Sequence, residues 1–123
     1  CVHVLSHSGG WIPVGGLLAG AGNVLLAGDA GGCVHPITGA GIPFAILSGR
    51  QCGEAAADAL QSGRPEEALP QYERRREEAM GGSFARALAA RRRQIEGWTD
   101  DLAQLDRLVR ETWVAFEEYA KFS

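Results

Sequence analysis

The chain has 123 residues, of which 46% are hydrophobic and 22% are charged, with a formal net charge of -3 and a mean hydropathy of -0.09. This balance is typical of a globular protein and excludes a strong general attraction to nucleic acid or to an anionic membrane. No apolar run reaches 18 residues, so we expect no transmembrane helix. The three scattered cysteines, Cys1, Cys33 and Cys52, favour a reducing compartment over a disulfide framework. We therefore expect a cytoplasmic location, and peripheral contact with a membrane stays open.

The glycine-rich first half of the chain predicts β-strands at residues 2–6, 11–14 and 23–28. The run "NVLLAG" at 23–28 is continuously apolar, which is typical of a strand covered on both faces in a parallel sheet. Such a strand needs neighbours that the rest of the sequence does not supply. The chain also begins with Cys1 rather than Met, and both observations predict that an N-terminal region is missing.

Residues 42–63 predict a helix with Pro43 in its first turn, where a missing N–H costs nothing. Apolar and small residues recur along it at three- and four-residue spacing. We expect this stripe to lie against a sheet or a cofactor, because its glycines are otherwise unfavourable in a helix. The stripe consists of Ile42, Ala45, Ile46, Gly49, Gly53, Ala56 and Leu60.

The composition shifts near residues 63–65, after which the chain is charged and rich in Ala and Leu. Helices are predicted to start at Pro65 and again at Pro70, to break at Gly81 and to resume with Ser83 as N-cap. Thr99 is the predicted cap of the last helix. The arginine runs 74–76 and 91–93 are interpreted as solvated helix faces. We thus predict an α/β fragment, with the strands and the first helix at 1–63 and a mostly helical region at 64–123.

The candidate chemistry lies in the segment between the predicted strand at 23–28 and the helix. Asp29 would sit at the carboxyl end of a parallel strand, where open α/β sheets bind their ligands. A carboxylate there accepts hydrogen bonds well from a ligand hydroxyl. The small residues 30–32 would let a bulky ligand approach the backbone. Residues 38–42 open the helix, and its free N–H groups favour an anionic or electron-rich group.

Structural interpretations compete with this one. Asp29 could cap a turn, with the glycines serving only the conformation of the loop. The run "GAGIPFA" at 39–45 partly matches a dinucleotide-binding fingerprint, but it lies ten residues beyond Asp29 and has Phe44 in place of the third glycine. His35 is a further hypothesis, either as a proton donor or as an ordinary loop histidine. We predict no metal site, because the histidines are widely spaced.

The stretch "VLLAGDAGGCVHPITGAGIPFAILSGRQCGEAAADAL" resembles the second flavin-contacting motif of FAD-dependent oxidoreductases of the para-hydroxybenzoate hydroxylase type. Within them it is most similar to the geranylgeranyl reductase family, which shows Gly-Asp-Ala-Ala-Gly, Pro-x-Thr-Gly-x-Gly-Ile and Ala-x-x-Ser-Gly in this order. The resemblance covers roughly residues 9–95. It implies that residues 1–63 are the C-terminal part of a Rossmann-like FAD-binding domain, with strands at 1–16 that return from the substrate domain. That family usually has Ala where this chain has Gly31.

The resemblance implies FAD as the cofactor and assigns roles to particular positions. Asp29 would accept a hydrogen bond from the ribityl chain, and Pro36 would lie beside the isoalloxazine. The backbone N–H groups near Gly41 and Ile42 would face the pyrimidine edge of the ring, where reduced flavin gathers negative charge. The full implied set of cofactor-binding residues is Gly28, Asp29, Pro36, Gly39, Gly41 and Ile42.

The resemblance also implies a function, namely reduction of carbon–carbon double bonds in a polyprenyl chain or another hydrophobic substrate. NAD(P)H or another reductant would supply the electrons. The ADP-binding fingerprint is not in this sequence, so we expect the chain alone to be inactive, and we assign no catalytic side chain. Two alternatives stay open: hydroxylation or halogenation by a flavin enzyme of the same type, and a non-catalytic helical interaction module.

Overall fold

The computed structural model describes residues 6–121, in which an irregular first segment precedes a set of helices. The four α-helices are α1 (Ile42–Ser62), α2 (Pro65–Arg76), α3 (Gly82–Glu96) and α4 (Leu102–Thr112). A π-helical turn at Glu77–Gly81 joins α2 to α3, and short 3-10 turns lie at Gly28–Gly31 and Glu117–Lys121. Within the described part of the chain, no helix combines the length and the hydropathy needed to cross a bilayer.

The predicted α/β, Rossmann-like fold is wrong for residues 6–121, because none of them forms a β-strand. The predicted strand at 2–6 lies outside the described residues except for its last position, and residues 11–14 and 23–28 have no sheet partner. A strand needs a neighbour to bond its N–H and C=O groups. Here the Leu26 carbonyl instead accepts hydrogen bonds from Tyr72 Oη (2.6 Å) and Arg76 Nη1 (3.0 Å). Side chains of α2 therefore take the place of a β-ladder.

The helix predicted at 42–63 is confirmed as α1, but the face that it buries is not the predicted one. The helix ends at Gly63, which adopts φ +67° and donates its N–H to the Ala59 carbonyl at 3.0 Å. Residues of the predicted stripe are exposed instead, including Ile42 (77%), Ile46 (70%) and Leu60 (85%). α1 packs against α2 and buries Ser48 and Ala55 instead, and of the predicted stripe Ala45 lies against Gly28.

α2, the π-helical turn and α3 form one continuous helical path from residue 65 to residue 96. Pro65 starts it as predicted, whereas Pro70 lies inside the helix rather than beginning a second one. The predicted break at Gly81 is also wrong, since the π-helical turn carries the backbone through it. Ser83 is not an N-cap, because its Oγ donates to the Met80 carbonyl at 3.1 Å. The wider turn keeps the path helical where the glycines predicted an interruption.

The N-cap of α4 is Asp101, not the predicted Thr99. Asp101 Oδ1 accepts from the N–H groups of Ala103 (2.9 Å) and Gln104 (3.1 Å). Thr99 Oγ1 accepts from the Asp101 N–H at 3.2 Å, so it supports the turn before the cap. The hydrogen bonds from Gln104 and Ala103 lower the pKa of Asp101, because they favour the charged carboxylate.

Two small clusters of buried apolar side chains join the glycine-rich segment to the π-helical turn and α3. In one, Cys33 packs with Met80 and Phe84; in the other, Ile37 packs with Ala87 and Ala90. Residues 31–37 are therefore attached to the helical part of the chain by burial as well as by hydrogen bonds. The division into units at 1–63 and 64–123 stays a prediction.

Candidate functional site

Gly28 begins a 3-10 turn, Gly28–Gly31, which we call the Asp29 turn. Gly28 adopts φ +57°, a left-handed conformation that favours glycine. Its N–H donates to Ser48 Oγ at 2.9 Å, and its carbonyl accepts from the Cys33 N–H at 2.9 Å. A Cβ at Gly28 would lie 3.4 Å from the Ala45 Cβ on α1. The Asp29 turn is therefore bonded directly to the first turns of α1.

Asp29 is exposed and lies at the N-terminus of α1. Its Oδ1 is only 3.1 Å from the position that a Cβ at Gly41 would take, so glycine at 41 leaves room for the carboxylate. Gly41 is the N-cap of α1, and no side chain among the described residues caps it. The first N–H groups of a helix have no partner within the helix. The start of α1 thus has both a carboxylate acceptor and helix N–H donors beside it.

The other residues predicted to contact the flavin lie at different distances from the start of α1. Ile42 starts α1 and is largely exposed. Gly39 adopts φ +69° and donates its N–H to the His35 carbonyl at 2.9 Å, closing a turn that ends two residues before Gly41. Pro36 is buried, and its carbonyl accepts from Arg91 Nη1 at 3.1 Å. The structure therefore brings Gly28, Asp29, Gly41 and Ile42 together and turns Pro36 towards α3.

His35 lies between two aromatic rings. Its imidazole stacks on Phe44 at a centroid distance of 6.5 Å and meets the edge of Phe84 at 6.0 Å. Burial lowers the pKa of His35, so the ring is neutral at pH 7. Its Nδ1 accepts from the Thr38 N–H at 3.4 Å, which leaves Nε2 as the protonated nitrogen. A role for His35 as proton donor stays a hypothesis.

Sequence reasoning missed the part that α2 plays in this site. Arg76, predicted to lie on a solvated face, is only 2% exposed. Tyr72, one turn earlier on the same face, is fully buried. Residues four apart share one face of a helix, so the Tyr-x-x-x-Arg spacing was the available signal.

Asp29 and the residues at the start of α1 fit the flavin that the resemblance implies. A carboxylate suits a ligand hydroxyl, and an uncapped helix N-terminus suits an electron-rich ring edge. A groove of about 560 Å³ lies elsewhere, between residues 20–25 and the start of α2. None of the predicted flavin contacts lines it, so we assign the site from the donor and acceptor groups rather than from the volume of this groove.

Comparison with known proteins gives matches to one family of enzymes. The family model described as "Lycopene cyclase protein" matches residues 2–120. A digeranylgeranylglycerophospholipid reductase 2 of Methanothermobacter thermautotrophicus is 39% identical over 88 residues, which are 71% of this chain and 22% of that protein. A digeranylgeranylglycerophospholipid reductase of Methanothrix thermoacetophila is 40% identical over 99 residues, 78% of this chain and 25% of that protein.

A third relative, digeranylgeranylglycerophospholipid reductase 3 of Methanosphaera stadtmanae, is 43% identical over 70 residues, 56% of this chain and 18% of that protein. The chain thus spans about a quarter or less of the length of these curated relatives. No solved structure matches it significantly. The names of the relatives confirm the predicted resemblance to geranylgeranyl reductases. With nearly its whole length matched by the family model, the chain belongs to the lycopene cyclase protein family, which is FAD-dependent.

Proposed function

We propose that the protein containing this chain is an FAD-dependent oxidoreductase that reduces carbon–carbon double bonds of a polyprenyl chain. The observation that carries the proposal is the pairing of the Asp29 carboxylate with the uncapped start of α1, 3.1 Å from the site of a Cβ at Gly41. The three relatives named as digeranylgeranylglycerophospholipid reductases support the choice of substrate class.

In this proposal the described residues bind and orient the cofactor. Asp29 accepts a hydrogen bond from a hydroxyl of the ribityl chain, while Gly28 lets the backbone come close. The N–H groups at Gly41 and Ile42 face the pyrimidine edge of the flavin ring and stabilise negative charge there. Gly39 shapes the turn that leads into α1, and Pro36 supports the same turn from its buried side. FAD, when bound, supplies the redox chemistry.

The reduction adds a hydride to one alkene carbon and a proton to the other. A reduced nicotinamide or another reductant would provide the two electrons. The substrate is a hydrophobic isoprenoid, which fits a cytoplasmic enzyme with peripheral contact with a membrane. We assign no proton donor among the described residues, so the contribution of this chain is to position the cofactor and stabilise its charge.

Anaerobic turnover of the full-length protein tests the proposal. The protein, purified gently, is expected to carry a yellow flavin chromophore and to saturate a geranylgeranyl lipid without oxygen when a reductant is supplied. Turnover that requires oxygen would instead indicate a flavin hydroxylase or halogenase. A colourless protein that takes up no added FAD would contradict the proposal and favour a helical interaction module.

A further inference from the structure

Arg76, in the last turn of α2, bonds three backbone carbonyls of the segment that carries the Asp29 turn. Its Nη1 donates to Leu26 O at 3.0 Å and to Gly31 O at 3.3 Å, and its Nη2 donates to Leu18 O at 2.7 Å. Nη2 also forms an ion pair with Glu73. A buried guanidinium is costly unless its N–H groups are bonded, and here the backbone of residues 18–31 supplies most of the acceptors.

Two neighbours on α2 contact the same segment. Tyr72 Oη donates to Leu26 O at 2.6 Å, and burial raises the pKa of Tyr72, so the phenol keeps its proton for this bond. The Gly20 N–H donates to Glu73 Oε1 at 3.1 Å. The guanidinium carbon of Arg76 lies 5.3 Å from the centre of the Tyr72 ring. One face of α2 thus bonds the backbone on both sides of residues 21–25.

Gly31 lies directly against the Arg76 guanidinium in this contact. A Cβ at Gly31 would lie 2.6 Å from Leu26 O and 2.8 Å from Arg76 Nη1, so a side chain cannot fit beside the guanidinium. This is a physical reason for glycine where the geranylgeranyl reductase family usually has Ala. Gly31 is two residues from Asp29 in the same turn, and the Gly32 N–H donates to the Asp29 carbonyl at 3.0 Å. The Gly31 carbonyl that bonds Arg76 and the Asp29 residue therefore belong to the same short turn.

We propose that Arg76 is the positioning residue of the cofactor site: by bonding Leu18, Leu26 and Gly31 it fixes the Asp29 turn against the start of α1. This inference rests on the proposed function, because it assigns Arg76 to the same FAD site. Arg76 acts through the backbone and does not contact the cofactor. Glycine-rich backbone is costly to order, and three bonds from one planar side chain add to the local bonds of the turn and hold the segment that carries it.

The first test is hydrogen exchange of the full-length protein without FAD, comparing Arg76→Met with the wild type. Amides in residues 18–32 are expected to exchange about tenfold faster in the variant, while those of α1 keep their protection. Arg74→Met is the matched control, since Arg74 is exposed on the same helix. Equal exchange of residues 18–32 in wild type and Arg76→Met would overturn the inference.

The second test is FAD affinity in the same full-length proteins. Arg76→Met is expected to weaken FAD binding by about tenfold or more, and Arg76→Lys to restore part of it, because an ammonium reaches fewer carbonyls than a guanidinium. The absorption spectrum of flavin bound at saturation is expected to change in Arg76→Met and not in Arg74→Met, which separates a misplaced Asp29 from a general loss of stability. If Arg76→Met fails to fold, Arg76→Lys carries both tests against wild type.

The outcomes separate this inference from the proposed function. If the wild type binds FAD and neither Arg76 variant changes the affinity or the spectrum, the positioning role is wrong and the oxidoreductase proposal stands. If the wild type binds no FAD, the proposed function fails, and the assignment of Arg76 to a cofactor site fails with it. The exchange experiment then still decides whether Arg76 orders residues 18–32.

Discussion

The Asp29 turn and helix α4 are ordered in different ways. α4 starts at a local cap, because Asp101 bonds N–H groups two and three residues ahead of it. The Asp29 turn has local bonds as well, but it also depends on a partner far along the chain, since Gly31 in the turn and the nearby Leu26 bond Arg76 across 45 and 50 positions. A change in one local bond alters one end of α4, whereas a change in α2 alters the candidate site. The segment that carries the candidate site therefore owes part of its shape to tertiary contacts.

The largest effect is expected from Asp29→Ala in the full-length protein. Losing a charge-assisted hydrogen bond to FAD should weaken binding by roughly 1.5–3 kcal/mol, which is about 10- to 150-fold in Kd. Fluorescence titration with FAD measures it. Asp58→Ala, an exposed acid on α1, is the control and should bind as the wild type does. An Asp29→Ala protein with wild-type affinity would show that the carboxylate only serves the turn.

Glycine substitutions sharpen the contrast between the turn and the exposed helix. Gly28→Ala should destabilise the full-length protein by about 1–2 kcal/mol, because φ +57° is unfavourable for a residue with a Cβ. Gly53→Ala should stabilise it by about 0.5–1 kcal/mol, since no atom lies within 4 Å of the added Cβ and Ala favours a helix. Urea unfolding monitored by circular dichroism gives both values. Equal signs for the two variants would contradict the assigned conformations.

Removing the α4 cap should have a smaller and purely local effect. Asp101→Ala is expected to lower the melting temperature slightly and to reduce helicity near α4 without changing FAD affinity in the full-length protein. Because the pKa of Asp101 is lowered in the folded state, the wild type should lose this contribution as the pH falls through that pKa. Thermal melts between pH 2 and pH 6 measure this loss of stability, with Asp100→Ala as the control. Loss of flavin in Asp101→Ala would refute the local character of this cap.

The smallest effect is expected for the contribution of His35 to stability at acidic pH. Its pKa is lowered by burial, so below pH 6.5 the unfolded chain binds more protons than the folded one. Stability should therefore fall as the pH drops from 6.5 towards the folded-state pKa, and His35→Gln should flatten that slope. Urea midpoints of the full-length protein at several pH values between 5 and 7 measure it, with the exposed His7→Gln as control. An unchanged slope in His35→Gln would assign the pH dependence to other groups.

Local signals in the sequence predicted the helices best. Pro43 and the spacing of residues 42–63 gave α1 within one residue, because start signals and periodicity act over short distances. The motif reasoning also named Asp29 and Gly41 as neighbours of a ligand, and the structure brings them together. Whether they bind the flavin stays a prediction. The choice of Asp29 rested on its residue type and on the small residues after it, which are visible in the sequence alone.

Local signals could not show that residues 23–28 form no strand. An apolar run predicts burial, but the partner of its backbone is a tertiary property, and here it is α2 that bonds Leu26. The prediction of the buried face of α1 was wrong for a similar reason. Periodicity identifies a stripe of apolar residues but not the element that packs on it. The uninterrupted path through Gly81 depended on a π-helical turn, which glycine signals do not predict.

That π-helical turn sets the rotation of the helical path. Tyr72, Arg76, Met80 and Phe84 are all buried and recur every four residues. At 3.6 residues per turn each such step overshoots by about 40°, so three steps would drift by about 120° around a regular α-helix. One extra residue in a wide turn compensates about 100° of that drift. If residues 77–81 became regular α-helix with all five residues kept, Phe84 would therefore rotate by about 100° away from Cys33, and the two halves of this buried row would be uncoupled.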